Sequence, residues 1–312
     1  MINNEEKNYI SAIVYVHNHE KIIKEFLKKI DEGLQSFSYY EIIIVNDVSC
    51  DKSIDIIHDI VPSLRTTAIT IINMGFFPGL ESSMRAGVDL SIGDFVYEFD
   101  DLTLSYDKNL IFKLYEKSLQ GYDIVSASNK NSHKGSTLFY KIFNRFSNYT
   151  YKLKSEAFRI ISRRGINRVK SMNISIPYRK AVYANCGLKS ETIYYEANVK
   201  RINDHNQLKM RKSLAVDSLL LFTNFGYKIS VFLTMIMMLV TILVTLYTVY
   251  IFVEREPVQG WVSTMLFLSF SFFSVFLIFT ILIKYATLIT DLLFKKEEYV
   301  IKSIEKITNS HD

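Results

Sequence analysis

The sequence predicts an α/β fold with a mostly parallel sheet, followed by a C-terminal two-helix transmembrane hairpin. Three observations predict it. Short, fully apolar runs alternate with amphipathic ones over the first 128 residues. Polar side chains gather just after the apolar runs. Two long uncharged apolar segments then occupy residues 229–253 and 258–283.

Taken in order, residues 10–16 (Ile-Ser-Ala-Ile-Val-Tyr-Val) form an apolar strand. Residues 20–34 form a helix with Ile22, Ile23, Phe26, Leu27 and Ile30 on one face. A buried strand at 41–46 leads through a polar turn to a helix at 52–60. A third strand (68–73), a helix (80–90), a fourth strand (95–99), a helix (108–119) and a fifth strand (123–127) follow. Strands buried on both faces require helices on both sides. In such sheets ligands bind at the carboxyl ends of the strands. Those ends carry His17-Asn18, Asn46-Asp47, Asn73 and Asp100-Asp101. Residues 135–151 read as an amphipathic helix, 155–170 as a short strand and then a helix, and 213–227 as an interfacial juxtamembrane helix. The two apolar segments, within 228–286, are each long enough to span a bilayer, and 287–312 is expected to be a cytoplasmic tail helix.

Charge sets the orientation. The polar N-terminus reads as no signal peptide, and Lys200, Arg201, Lys209, Arg211, Lys212 and Lys228 precede the first span. Lys284, Lys295 and Lys296 follow the second, so both ends are expected on the cytoplasmic side of the inner membrane. In that reducing compartment Cys50 and Cys186 are expected to be free thiols. The net charge of +5 conceals an asymmetry: 11 Lys/Arg against 20 Asp/Glu up to residue 129, then 19 against 4 from 130 to 212. A basic segment beside a membrane span points to anionic lipid or a phosphate-bearing substrate, and the tie to the membrane argues against nucleic acid. Paired acids at a strand end, Asp100-Asp101, suit a hard divalent cation bridging phosphate oxygens. His17 and His19 lack a third ligand in sequence reach and do not make a zinc site.

Val45-Asn46-Asp47-Val48-Ser49-Cys50-Asp51, taken with Gly93-Asp94 and Asp100-Asp101, resembles the family 2 glycosyltransferases of GT-A (Rossmann-like) fold. The familiar Val-Asp/Asn-Asp-Gly-Ser-x-Asp keeps all but its Gly, which here is Val48. Val14 to Glu20 sits where that family has Pro-x-Tyr-Asn-Glu-Glu, and Met84-Arg85-Ala86-Gly87 precedes Gly93-Asp94 at the family's spacing. Phe158-Arg159-Ile160-Ile161-Ser162-Arg163 resembles the Phe-Arg-Leu-x-Ser-Arg of the polyprenyl-phosphate branch, which also carries two C-terminal spans.

The resemblance implies an inverting transfer of sugar from a nucleotide-sugar to polyprenyl phosphate at the cytoplasmic face. It implies Mg²⁺ or Mn²⁺ held by Asp100 and Asp101, with Asn18, Asp47 and Asp94 on the nucleotide-sugar. Arg159, Arg163, Arg179, Lys200 and Arg201 become candidates for the acceptor phosphate. Glu156 is the candidate base should the acceptor be the hydroxyl of a lipid-linked saccharide. A non-catalytic membrane scaffold is the alternative outside enzymes, and a homo-oligomer is left open. The family's Asp-x-Asp-Leu is altered here to Asp100-Asp101-Leu102-Thr103, so that Glu98 or Asp107 becomes a substitute ligand. Asp51 reads more simply as the N-cap of the helix that follows it.

Overall fold

A computed structural model describes residues 6–66, 68–102, 104–130, 140–141, 143–145, 152–172, 178–197 and 299–308, with isolated helical positions between 232 and 289. An eight-stranded sheet is built from β1 (Ile10–Val16), β2 (Tyr40–Asn46), β3 (Ala68–Met74), β4 (Phe95–Phe99), β5 (Ile124–Asn129), β6 (Phe158–Ser162), β7 (Ser190–Tyr195) and β8 (Ile301–Thr308). Its order is β7-β5-β6-β4-β1-β2-β3-β8. The four central strands β4, β1, β2 and β3 are parallel, as is the β5–β7 pair, while β6 and β8 run antiparallel to their neighbours.

The helices are α1 (Ile23–Leu34), α2 (Ser53–Ile60), α3 (Leu80–Leu90), α4 (Asn109–Leu119), α5 (Arg163–Ser171) and α6 (Arg179–Asn185). Alternation along β1 explains the layers. Ile10, Ala12, Val14 and Val16 join Phe26, Leu27, Ile111 and Leu114 in one apolar cluster; Ile13 and Tyr15 join Met84, Ala86 and Ile166 in the other. Every residue of β1 and β2 is buried, which is why their sequences show no polar face. At Gly87 of α3 a Cβ would come within 2.5 Å of the Ile13 side chain, so the glycine lets this helix lie close on the sheet.

The five strands and four helices expected from the first 128 residues are present, with no end shifted by more than three residues. Two elements were not anticipated, α6 and β7, and one expectation is corrected. Residues 301–308, taken as part of a tail helix at 287–312, form the edge strand β8 instead. Ile301, Ser303, Glu305 and Ile307 alternate with more exposed Lys302, Ile304 and Lys306; that period-2 pattern was hidden by reading Ile304 as part of a helical stripe.

The chain divides into two compact units. One, which holds the sheet, comprises Met1–Asn144, Tyr149–Leu214 and Lys296–Asp312; the other comprises Arg145–Asn148 and Ala215–Lys295. In the second unit the described positions are helical and include exposed Phe232, Leu239, Leu243, Phe279 and Leu282. Among the described residues no helix is long and apolar enough to cross a membrane; most of 229–253 and 258–283, and all of 213–227, lie outside them.

Candidate active site

Two groups of side chains stand at the carboxyl ends of the parallel strands. The first is formed by the turns that leave β1 and β2. The Asp47 N–H continues the parallel ladder by donating to the Val16 carbonyl at 2.9 Å, which draws the two turns together. His17 Nδ1 donates to the Asp47 carbonyl at 2.6 Å, and its Nε2 accepts from Asn18 Nδ2 at 3.2 Å. Asn18 Oδ1 in turn accepts from the Cys50 N–H at 2.8 Å. Asn18 and Val48 both adopt φ of 55°. That is unremarkable for Asn and costly for a β-branched residue, which explains why the related pattern has Gly where this chain has Val48.

Asp47 is fully buried. Its Oδ2 accepts from the Tyr15 hydroxyl at 2.8 Å. Burial pushes its carboxyl up from the ordinary range, opposed by the Tyr15 hydroxyl, by His17, and by the Ser83 hydroxyl and the Gly79 N–H. Beside it the Phe77 ring lies 4.6 Å from that of His17 and is half exposed. Asp51 accepts from the N–H groups of Ser53 (3.0 Å) and Glu20 (2.9 Å), so it ties the start of α2 to the turn after β1. Burial works to raise its carboxyl, but these bonds outweigh it and leave it lowered.

The second group is a buried ion cluster at the end of β4. Glu98 and Arg159 are register partners across the antiparallel β4–β6 pair. Arg159 reaches Glu98 at 2.5 Å, Asp100 at 2.6 Å and Glu156 at 3.0 Å. Arg179, at the start of α6, reaches Asp100 at 2.5 Å, Glu98 at 2.8 Å and Glu81 of α3 at 2.9 Å. The Tyr183 hydroxyl donates to the other oxygen of Glu98 at 2.5 Å. Burial alone would raise the Asp100 carboxyl, but the Arg159 and Arg179 guanidiniums hold it well below the usual carboxylate range. Four carboxylates thus surround two arginines, leaving the cluster formally negative before any ligand arrives.

The structure sorts the residues expected from sequence. Asn18 and Asp47 come together, as do Asp100, Glu156, Arg159 and Arg179. Asp100 is corrected as an open carboxylate: each of its oxygens already accepts from a guanidinium, so a metal ion would have to share them. Asp107 caps α4 by accepting from the Asn109 N–H at 2.8 Å, and Glu98 is consumed by the cluster. Half-buried Asp101 follows immediately after, and among the described residues no group of three or more His, Cys, Asp or Glu is arranged to hold a metal ion.

Asp94 and Arg163 are corrected too. They sit at the amino end of β4, where Asp94 accepts from the Tyr9 N–H and Arg163 donates to the Gly93 carbonyl. A five-residue strand, about 16 Å of extended chain, separates them from Asp100. Lys200 and Arg201 lie outside the described residues. Sequence reasoning missed Glu81 and Tyr183; neither stands in a motif, and only the packing of α3 and α6 brings them in.

A mostly parallel sheet with acidic turns and a carboxylate–arginine cluster at its carboxyl edge fits a GT-A type transferase domain. The family model described as glycosyl transferase family 2 matches residues 11–175, more than half of the chain, and the chain belongs to that family. It is similar to an uncharacterized glycosyltransferase of Synechocystis, 28% identical over 60% of each chain; the match thus spans about three fifths of that relative's length. A bactoprenol glucosyl transferase of Shigella phage SfX is 26% identical over 84% of this chain and 88% of its own. Among solved structures, a mannosyltransferase from Pyrobaculum calidifontis in complex with GDP-Man and Mn²⁺ superposes with a TM-score of 0.48 at 13% identity, covering 93% of this chain and 88% of the other.

Proposed function

We propose that this chain transfers a sugar from a nucleotide-sugar to polyprenyl phosphate at the cytoplasmic face of the inner membrane, with inversion at the anomeric carbon. The observation that carries the acceptor class is strand β8. The chain leaves the sheet domain, runs through two uncharged apolar segments and hydrogen-bonds again to β3 of the same sheet. On this reading the two segments cross the bilayer as a pair and return the chain to the compartment it left. A domain tethered in this way works beside lipid-embedded acceptors. The similarity to bactoprenol glucosyl transferases supports the same acceptor.

The donor would be held by the β1 and β2 turns, with the Asp47 carboxylate accepting from the nucleoside. Asp101 would hold Mg²⁺ or Mn²⁺ together with diphosphate oxygens, since such ions commonly take one or two carboxylates and complete their shell with substrate phosphates. The ion would neutralise the charge developing on the leaving diphosphate. Arg159 and Arg179 keep Asp100 ionised and fixed at the end of β4, and so set the position of Asp101. A lipid phosphate is an anionic nucleophile and needs little help from a base. Glu156 accordingly serves the cluster, its Oε2 accepting from Arg159, rather than taking a proton.

The test is a transfer assay with the full chain in nanodiscs, undecaprenyl phosphate, Mg²⁺ or Mn²⁺ and labelled UDP-, GDP- and dTDP-sugars. Metal-dependent label in the organic extract, lost in Asp101→Ala, is the expected result. Label reaching only a lipid-linked saccharide would move the acceptor to a hydroxyl, and nucleotide binding without transfer to either would leave the scaffold.

A further inference from the structure

We infer that the C-terminal strand β8 sets the shape of the turn at residues 47–52 through Glu305 and Asn73, and thereby controls donor affinity. The inference rests on the reading of that turn as the nucleotide site. Asn46, Asn73 and Ser303 are register partners across β2, β3 and β8, so their side chains form one row across the sheet edge. Asn73 Nδ2 donates to Glu305 Oε1 at 2.8 Å and to Ser303 Oγ at 3.1 Å. Its Oδ1 accepts from Asn46 Nδ2 at 2.8 Å, and Asn46 Oδ1 accepts from the Ser49 N–H at 3.0 Å. Ser49 Oγ then accepts from the Asn18 N–H at 3.2 Å, across the turn.

The row has a direction. An amide has one donor end and one acceptor end, and nothing in its shape fixes which way it faces. A carboxylate such as Glu305 accepts only, so it pins the donor end of Asn73 outward; that pins the acceptor end toward Asn46, and so on to the Ser49 N–H. The turn needs such support because Val48, inside it, is held at a φ its side chain disfavours. Glu305 also lies 3.5 Å from His58 of α2, the helix that follows the turn, and the Gly75 N–H donates to the Val300 carbonyl at 2.7 Å just before β8. The segment that returns from the apolar runs is therefore joined to both flanks of the donor turn.

The experiment compares Glu305→Ala, Glu305→Gln and Lys306→Ala in the full chain, by amide hydrogen exchange of residues 46–53 and by donor and acceptor KM. Glu305→Ala is expected to speed exchange at Ser49 and Cys50 and to raise donor KM about three- to tenfold, with acceptor KM unchanged. Glu305→Gln, whose amide can present either its donor or its acceptor end to Asn73, is expected to restore both only in part, and Lys306→Ala, on the outward face of the strand, alters neither. Unchanged protection of Ser49 and Cys50 in Glu305→Ala would overturn the inference. So would donor and acceptor KM rising together, or a loss equally severe in Glu305→Gln. Lost protection in a protein whose wild type binds no nucleotide would sustain the mechanical link and defeat the donor-site reading instead.

Discussion

The two ends of strand β4 look alike in sequence and differ in chemistry. Each carries an aspartate, Asp94 before the strand and Asp100 after it, and each meets an arginine from the antiparallel segment around β6, Arg163 and Arg159 respectively. At the amino end the polar groups serve the backbone: Asp94 holds the Tyr9 N–H, and Arg163 holds the Gly93 carbonyl. At the carboxyl end the same residue types bind one another, with Arg159 1% exposed and contributed to by three carboxylates. The difference teaches that the direction of the strand, rather than the residue type or its closeness to a motif, decides which Asp–Arg neighbourhood belongs to the site.

Four comparisons would break or sharpen that contrast. The largest effect is expected from Arg159→Ala, which strands buried carboxylates and should cost about 3–5 kcal/mol in denaturant unfolding. Arg163→Ala, which removes hydrogen bonds to a carbonyl, should cost about 1 kcal/mol. Equal losses at the two ends would dissolve the distinction. Next comes catalysis: Asp101→Ala should lower metal-dependent transfer by about a hundredfold or more at nearly wild-type stability. Asp94→Ala should leave turnover within about twofold, because it touches only an exposed strand entry.

Acid titration separates the ends further. Because the Asp100 carboxyl is depressed in the folded protein, its stabilising contribution is complete above the unfolded value of about 3.9. It is lost as pH falls from there toward the depressed folded value. Wild type should therefore lose stability more steeply below about pH 4 than Asp100→Asn, measured by urea midpoints across that range; coincident slopes would count against the ion cluster. The smallest effect lies at the turn after β2. Val48→Gly should raise stability by about 0.5–1 kcal/mol, the relief of a β-branched residue from positive φ less the added freedom of the unfolded chain. A lower melting temperature in that variant would mean that Val48 contributes packing that outweighs its strain.

Much of the fold was legible because burial on both faces leaves a plain trace. The runs Ile10–Val16 and Tyr40–Asn46 contain few polar residues, and no amphipathic alternative competes with them. The turns after β1 and β2 were legible for a related reason: Asn18 and Asp47 sit immediately after parallel strands, at their carboxyl ends. Strand β8 was not legible. An edge strand alternates weakly, and its Ile, Lys and Glu residues suit a helix until β3 supplies hydrogen-bond partners. The arginine cluster was half legible. Arg159 and Arg179 stood out as basic groups for an anion, but that Asp100, Glu98 and Glu81 already neutralise them depends on residues up to 98 positions apart.

By itself the sequence determined the alternation of strands and helices, the apolar segments and the acidic turns, because each is written in residues that are near neighbours along the chain. The tertiary structure alone decided which aspartates and arginines share a cluster, and that the last strand pairs with β3 at the edge of the sheet. Those outcomes depend on strand direction and register, which bring together groups that the chain itself holds far apart.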